Sequence, residues 1–162
     1  MMTVAELLAR ARAPAAKGIK YRLGSGGMNP VMATPANYMQ ECDCSGYVCW
    51  SLGISRQTTH PLYVDFNGGW INTDAMCMDG ERTSGFFETI EVAKPGALII
   101  YPGGKKGVGH VGIVTQVLKG AAIKVLHCSA GNYKKLGDAI AETGPEVWKR
   151  DDARFLWYCG LG

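Results

Sequence analysis

Residues 41–50 read ECDCSGYVCW and predict that an irregular loop turns into a helix at a cysteine. Cys44, Val48 and Leu52 recur at every fourth position, which indicates one face of that helix. Asp43 fits the N-cap, so Cys44 is expected in or beside the first turn. A helix start carries partial positive charge from unpaired N–H groups and aligned peptide dipoles, and this charge favours a thiolate. The pattern therefore indicates a nucleophilic Cys44, although most free cysteines are small buried hydrophobes.

Two histidines later in the chain are candidates for the base. GHVGIV at 109–114 places His110 at the mouth of an apolar, β-branched run that predicts a buried strand. IKVLHCS at 123–129 predicts a second strand, with His127 near its end. Burying an unpaired imidazole is costly, so His110 should have a polar partner, and His127 could fix its tautomer through one ring nitrogen. His60 lies in a loop and is left out of the site.

A metal site competes with this interpretation. Cys42, Cys44, His110 and His127 are all ligand types that zinc accepts. The Cys-x-Cys spacing is tighter than usual and the histidines are far apart in sequence, which favours the nucleophile. Cys49 lies roughly 140° around the helix from Cys44, so it is expected to face elsewhere.

Together these motifs resemble the NlpC/P60 family of papain-like cysteine peptidases. The resemblance is carried by DCSGY at 43–47, KPGALI at 94–99, GHVGI at 109–113 and LH at 126–127, with GIKYRLG at 18–24 as the counterpart of the family's upstream tyrosine motif. The motifs occur in the family's order, and the similarity spans residues 18–129.

The resemblance implies a papain-like α+β fold in which N-terminal helices pack on a central antiparallel β-sheet. Length indicates one domain over residues 1–162, and the resemblance implies that this domain is catalytic. In the family's terms Cys44 is the nucleophile, His110 the base and His127 the orienting group. Tyr21 would supply a hydroxyl to the oxyanion, beside the Cys44 backbone N–H. No cofactor is expected.

Two departures from the family's pattern concern loops. Ala97 stands where the family usually has Asp after Pro-Gly, and residues 57–93 do not align with it. A segment this long without clear periodicity is often a functional covering loop. Its alternative role is a decoration that packs on the core. Substrate choice is expected to depend on residues 55–93.

The activity that the resemblance implies is hydrolysis of bacterial peptidoglycan stem peptides through a Cys44 thioester, often between D-glutamate and a diamino acid. The expected partners are peptidoglycan or its muropeptide fragments, with an immunity or delivery protein if the chain is a secreted antibacterial effector; a phage-encoded lytic protein also fits. Two other classes stay open. One is a thiol amidase or acyltransferase acting on a non-wall substrate, and the other is a catalytically idle binding module.

Composition is typical of a globular protein, with 47% apolar and 19% charged residues and a net charge of +3. No basic run with interleaved aromatics indicates nucleic-acid binding, and no apolar stretch approaches the roughly 18–20 residues of a membrane span. Residues 1–17 lack the apolar core of a signal peptide, so we expect action in the periplasm or wall after export by a non-standard route. The six cysteines are expected to be mostly reduced, and a bridge from Cys77 in an oxidising compartment stays open.

Local patterns predict the remaining elements. Thr3 and Glu6 fit a capping box for a helix over residues 4–12, and the short link at 119–120 predicts an antiparallel hairpin. Helices followed by a strand meander indicate an α+β arrangement. Strands are predicted at 86–92 (an edge strand), 97–101, 111–117, 123–129 and 155–159 (the closing strand), and Trp148 is predicted to begin one more short strand. Residues 18–42 are predicted to form a loop. Residues 55–85 are predicted to be irregular with room for short helices, and residues 134–147 to form a small helix or a loop.

Overall fold

The computed structural model describes residues 1–105 and 107–162. The described helices are α1 (Val4–Arg12), α2 (Cys44–Ser51), α3 (Pro61–Asn67), α4 (Thr73–Arg82) and α5 (Ala130–Leu136), with a 3₁₀ helix at Glu146–Trp148. The described strands are β1 (Lys20–Tyr21), β2 (Glu41–Cys42), β3 (Phe87–Ile90), β4 (Leu98–Tyr101), β5 (His110–Leu118), β6 (Ala121–Cys128), β7 (Ile140–Thr143) and β8 (Arg154–Tyr158).

Six of these strands form one antiparallel sheet in the order β3-β8-β4-β5-β6-β7. The predicted α+β fold with an antiparallel sheet is thereby confirmed. The β5–β6 hairpin turns through Lys119 and Gly120, whose φ values of 49° and 76° are both positive. Two consecutive positive φ angles match the right-handed twist of the flanking strands, so the short link at 119–120 closes the hairpin directly.

The helices cover one face of the sheet. Leu98 and Ile100 of β4 point to this face and are fully buried, while Ile99 between them points to the other face, as alternation along a strand requires. Helix α2 is buried at every one of its eight residues, between α1 and strands β5 and β6. The Tyr47 hydroxyl donates to the Ala11 carbonyl at 2.7 Å and ties α2 to the end of α1. Helix α2 is therefore held on all sides.

Helix α1 forms over the predicted residues because its start is specified locally. Thr3 is the N-cap, and it exchanges hydrogen bonds with Glu6 in the predicted capping box. The N-terminal helix prediction is confirmed in both bounds.

The loop predicted over residues 18–42 contains two short strands. Strand β1 pairs in parallel with β2, Lys20 opposite Glu41 and Tyr21 opposite Cys42. The two strands are only two residues long, which is too short to leave an alternating pattern in the sequence. Their pairing brings Tyr21 next to the start of α2.

The structure specifies one further prediction and corrects two. The segment at 55–85, for which short helices were allowed, holds α3 and α4. Residues 134–147, predicted as a small helix or loop, hold the end of α5 and also the strand β7. Trp148 ends a 3₁₀ helix and begins no strand, because its indole is packed under the second face of the sheet with Ile99 and Val125. The closing strand β8 is inserted between β3 and β4, and β3 is the edge strand as predicted. No described helix combines the length and apolar character needed to cross a bilayer.

Candidate active site

Cys44 is the first residue of α2, as the sequence predicts. Asp43 caps the helix: its Oδ1 accepts the Gly46 N–H at 2.9 Å, and its Oδ2 accepts the Gly24 N–H at 2.7 Å. The Cys44 side chain is 2% exposed and forms part of the lining of a cleft of about 260 Å³. The thiol thus lies at the bottom of an open depression and is itself almost covered.

The expected thiolate at the helix start is not supported. Burial raises the pKa of the Cys44 thiol to about 12, and the negative charge of Asp43 adds to this shift. The Val111 N–H of β5, the Arg56 guanidinium and the Ser45 N–H at the helix start lower the pKa, but burial outweighs them. Cys44 is therefore a neutral thiol at pH 7.

The two histidines meet side by side on the sheet. His110 opens β5, His127 lies near the end of β6, and His110 Nε2 is 2.8 Å from His127 Nδ1. The second ring nitrogen of His127, Nε2, lies 2.8 Å from Thr143 Oγ1. Thr143 in turn donates its hydroxyl proton to the Gly144 carbonyl at 2.8 Å. Thr143 did not emerge from the sequence, because it lies 16 residues after His127 in a segment without a recognisable motif.

Burial keeps both histidines neutral. It lowers the pKa of His110 to about 4, although the nearby Asp43 charge acts in the opposite direction. Burial also lowers the pKa of His127 to about 3, and the neighbouring His110 contributes in the same sense. At pH 7 the site therefore holds a thiol and two uncharged imidazoles.

Trp148 fixes the orientation of the histidine rings. Its indole stacks on the His110 ring with centroids 5.0 Å apart and an interplanar angle of 18°. It also meets the His127 ring edge to face at 4.9 Å. Trp148 Nε1 donates to the His110 carbonyl at 3.4 Å. The sequence carries no local signal for these contacts, since Trp148 and His110 are 38 residues apart.

Arg56 is a buried charge directly behind the helix start, and sequence analysis missed it. Its Nη1 lies 2.7 Å from Asp43 Oδ1, and its Nη2 donates to Asp43 Oδ2 at 2.8 Å. Nη2 also donates to Ser45 Oγ at 2.7 Å, and the Trp70 ring covers the guanidinium at 4.3 Å. Arg56 supplies a charged partner for Asp43, so the N-cap can be a buried carboxylate.

Tyr21 lies near Cys44 because β1 pairs with β2. Burial raises the pKa of the Tyr21 phenol, and the adjacent Cys44 adds to the effect. The phenol is therefore protonated at pH 7 and has a proton to donate. Its role at the oxyanion stays a prediction.

Segment 55–93 both lines the cleft and packs on the core, so the two roles considered for it coexist. Trp70, Asn72 and Thr73 form a wall of the cleft, and Gly107 and Gly109 also line it. Other side chains of the segment are buried in the core beneath this wall, namely Tyr63, Ile71 and Met76.

The geometry does not favour the zinc alternative. In the described part of the chain, no three His, Cys, Asp or Glu side chains are gathered as metal ligands. Cys42 donates from its sulfur to the Asp43 carbonyl at 3.4 Å and is fully buried, as is Cys49. Neither of these thiols lines the cleft that Cys44 lines.

A cysteine at the start of a helix, packed on an antiparallel sheet that carries a histidine pair, defines the papain-like class of α+β folds. Comparison with protein families identifies the member of this class: the CHAP domain matches residues 34–129, more than half of the 162 residues. The chain belongs to the CHAP-domain family.

CHAP domains occur in NlpC/P60-like and other peptidoglycan hydrolases, so the predicted relationship to cysteine-peptidase-like families is confirmed. The family indicates peptidoglycan hydrolase or amidase activity in general. No curated protein matches the chain. The matched residues include Cys44, His110 and His127, whereas Tyr21 and Thr143 lie outside them.

Proposed function

We propose that the protein is a cysteine peptidase or amidase that hydrolyses amide bonds in peptidoglycan stem peptides through a thioester on Cys44. The observation that carries the proposal is the position of the thiol. It lines the cleft, its helix α2 packs on β5, which begins at His110, and the Val111 N–H beside His110 acts to lower the pKa of the thiol. A nucleophile next to a base that is itself held by a third group is the arrangement that covalent acyl transfer requires.

The reaction starts from neutral partners, because the pKa of Cys44 is raised and that of His110 is lowered. His110 takes the thiol proton as the Cys44 sulfur attacks the amide carbonyl. The C–N bond then breaks, and His110 returns the proton to the leaving amine. A water molecule, deprotonated by His110, attacks the resulting thioester, and the proton goes back to the Cys44 sulfur.

The developing oxyanion needs hydrogen-bond donors that are already in place. We assign this role to the Cys44 backbone N–H at the start of α2 and to the Tyr21 hydroxyl. The protonated state of Tyr21 supports its part in the assignment.

The substrate we propose is the stem peptide, cut between D-glutamate and a diamino acid. A cleft of about 260 Å³ suits an extended peptide better than a bulky globular substrate. Such an activity fits a secreted antibacterial effector or a phage-encoded lytic protein. A non-wall amide as substrate is the second candidate, because residues 57–93, some of which line the cleft, do not align with the NlpC/P60 pattern.

Digestion of purified peptidoglycan, with mass analysis of the soluble fragments, tests the proposal. We expect wild type to release fragments with a new diamino-acid amine, and Cys44→Ala to release none above background. Cys49→Ala is the matched control, since Cys49 lies in the same helix but is buried away from the cleft. It should retain activity per folded molecule, with folding checked by circular dichroism.

Three outcomes would contradict parts of the proposal. Turnover by Cys44→Ala would move the nucleophile to another residue. Binding of peptidoglycan without cleavage by wild type would favour the idle binding module. Cleavage of non-wall amides with intact peptidoglycan left uncut would favour the second substrate class.

A further inference from the structure

We infer that Thr143 is a positioning residue that sets the tautomers of both histidines and thereby leaves His110 Nδ1 free to accept a proton. The inference rests on the proposed function only for its catalytic consequence, because the tautomers themselves are properties of the free protein. Thr143 ends β7, the edge strand next to β6. His127 pairs with Ala141, so Thr143, two residues on, lies on the same face of the sheet as His127.

The direction of each hydrogen bond follows from the number of protons available. A threonine hydroxyl has one proton, and Thr143 donates it to the Gly144 carbonyl at 2.8 Å. Toward His127 Nε2, which lies 2.8 Å away, the same hydroxyl oxygen can only accept. His127 Nε2 must therefore carry a hydrogen.

The constraint passes from His127 to His110. A neutral imidazole has one N–H, so His127 with its proton on Nε2 presents a lone pair at Nδ1. That lone pair faces His110 Nε2 at 2.8 Å, which makes His110 Nε2 the donor. His110 has then used its one proton, and its Nδ1 is unprotonated. The Thr143 hydroxyl, which is linked to His110 through His127, therefore determines that His110 Nδ1 is the unprotonated nitrogen that a general base needs.

The hydrogen-bond chain from Thr143 through His127 to His110 also accommodates the charged form of His110. When His110 Nδ1 takes up a proton, Nε2 keeps its hydrogen bond to the His127 lone pair and no ring has to turn. Without the hydroxyl, the His127 Nε2–H loses its acceptor in a mostly buried position, which favours moving the proton to His127 Nδ1. His110 Nε2 must then accept, its proton moves to Nδ1, and the base is blocked.

Thr143→Val and Thr143→Ser separate the hydroxyl from the shape of the side chain. Valine has nearly the same volume and also suits a strand, but it has no hydroxyl; serine keeps the hydroxyl and loses a methyl group. On ¹⁵N-labelled protein, long-range ¹H–¹⁵N correlations distinguish protonated from unprotonated ring nitrogens. We expect unprotonated Nδ1 and protonated Nε2 on both histidines in wild type and in Thr143→Ser. In Thr143→Val we expect the opposite tautomer or a mixture.

Kinetics on one purified muropeptide give the second readout. We expect kcat of Thr143→Val to fall by about 10²-fold or more, since a positioned base contributes about 10²–10⁴-fold. KM should stay unchanged. Thr143→Ser should restore most of kcat. A merely structural role would predict equal damage from both substitutions and unchanged tautomers in both.

The outcomes separate this inference from the proposed function. Wild-type tautomers in Thr143→Val, or a wild-type His110 with a protonated Nδ1, would overturn the inference whether or not the protein cuts peptidoglycan. The expected tautomers in a wild-type protein that hydrolyses nothing would support the assignment of Thr143 and contradict the proposed activity.

Discussion

Two opposing influences act on the ionisation of the Cys44 thiol. The start of α2 and Arg56 favour the thiolate, while burial and the Asp43 carboxylate favour the thiol, and the second pair prevails. The residue is thus poised differently from a cysteine that is ionised before substrate arrives. In the proposed reaction, substrate meets a neutral thiol in the cleft, and His110 activates this thiol by removing its proton. The chemistry is closer to that of a serine nucleophile than to a preformed thiolate–imidazolium pair.

Alkylation kinetics test this ionisation state. Because iodoacetamide reacts with thiolates, Cys44 with a pKa of about 12 should react slowly at neutral pH and faster throughout the alkaline range. Cys159 is the exposed one of the six cysteines and should be modified first. Peptide mapping after timed labelling gives the two rates, and Cys159→Ala removes the background. Rapid labelling of Cys44 that levels off below pH 7 would indicate an ion pair with His110.

At the scale of elements, the start of α2 depends on the ion pair between Asp43 and Arg56. Both side chains are almost completely buried, at 1% and 2% exposure. Removing one partner of such a pair leaves the other as an uncompensated charge. The pair is therefore a point where one substitution should loosen the helix start, the Gly24 turn and the cleft wall together.

Arg56→Gln should lower the free energy of unfolding by about 3–5 kcal/mol, the usual effect of breaking a buried ion pair. Arg22→Gln is the matched control, because Arg22 pairs with Glu41 at 3.5 Å but its side chain is 68% exposed. An exposed pair contributes about 0–1 kcal/mol. Urea denaturation of the three proteins measures both values, and equal losses in the two variants would contradict the account.

Elements with local signals could be predicted from the sequence. Helix α1 has its capping box, α2 has Asp43 at its start, and the β5–β6 hairpin has a two-residue link that ends in Gly120. Helix α3 also carries local signals, Pro61 in its first turn and Gly68, with φ 61°, at its end. It is only seven residues long, so periodicity alone does not reveal it.

The residues of the candidate site likewise divide into those with a local sequence signal and those without one. Cys44, His110 and His127 stand on elements with recognisable motifs, so the sequence predicts them. Arg56, Trp148 and Thr143 act through contacts that depend on how distant segments pack, and a single sequence contains no spacing rule for such contacts. Long segments such as 55–93 therefore appear featureless in the sequence although they line the cleft.

At the scale of the whole molecule, the buried histidines make stability depend on pH. Their pKa values in the folded protein are about 4 for His110 and about 3 for His127, whereas an unfolded histidine titrates at about 6.5. Between these values the unfolded chain binds more protons than the folded protein. The free energy of unfolding should therefore fall as pH drops below about 6.5, and keep falling until pH reaches about 3.

Urea denaturation at about pH 7.5 and about pH 5 tests this dependence in a range where most carboxyl groups stay ionised. Wild type should be less stable at the lower pH. His127→Gln keeps a side chain that can form hydrogen bonds and removes one titrating group, so its loss between the two pH values should be smaller. Identical losses in both proteins would show that His127 does not carry a depressed pKa.

The position of β8 within the sheet has a consequence for biosynthesis. A ribosome delivers residues in order, so β3 and β4 emerge before β8, the strand that must separate them. Until residues 154–158 arrive, β3 has no strand to pair with and one side of β4 is an open edge. Helix α4 rests on β3, β4 and β8, so the cleft wall at its start also waits for this strand. A nascent chain that already contains Cys44 and both histidines therefore still lacks a finished cleft, which can form only after residues 154–158 have been added.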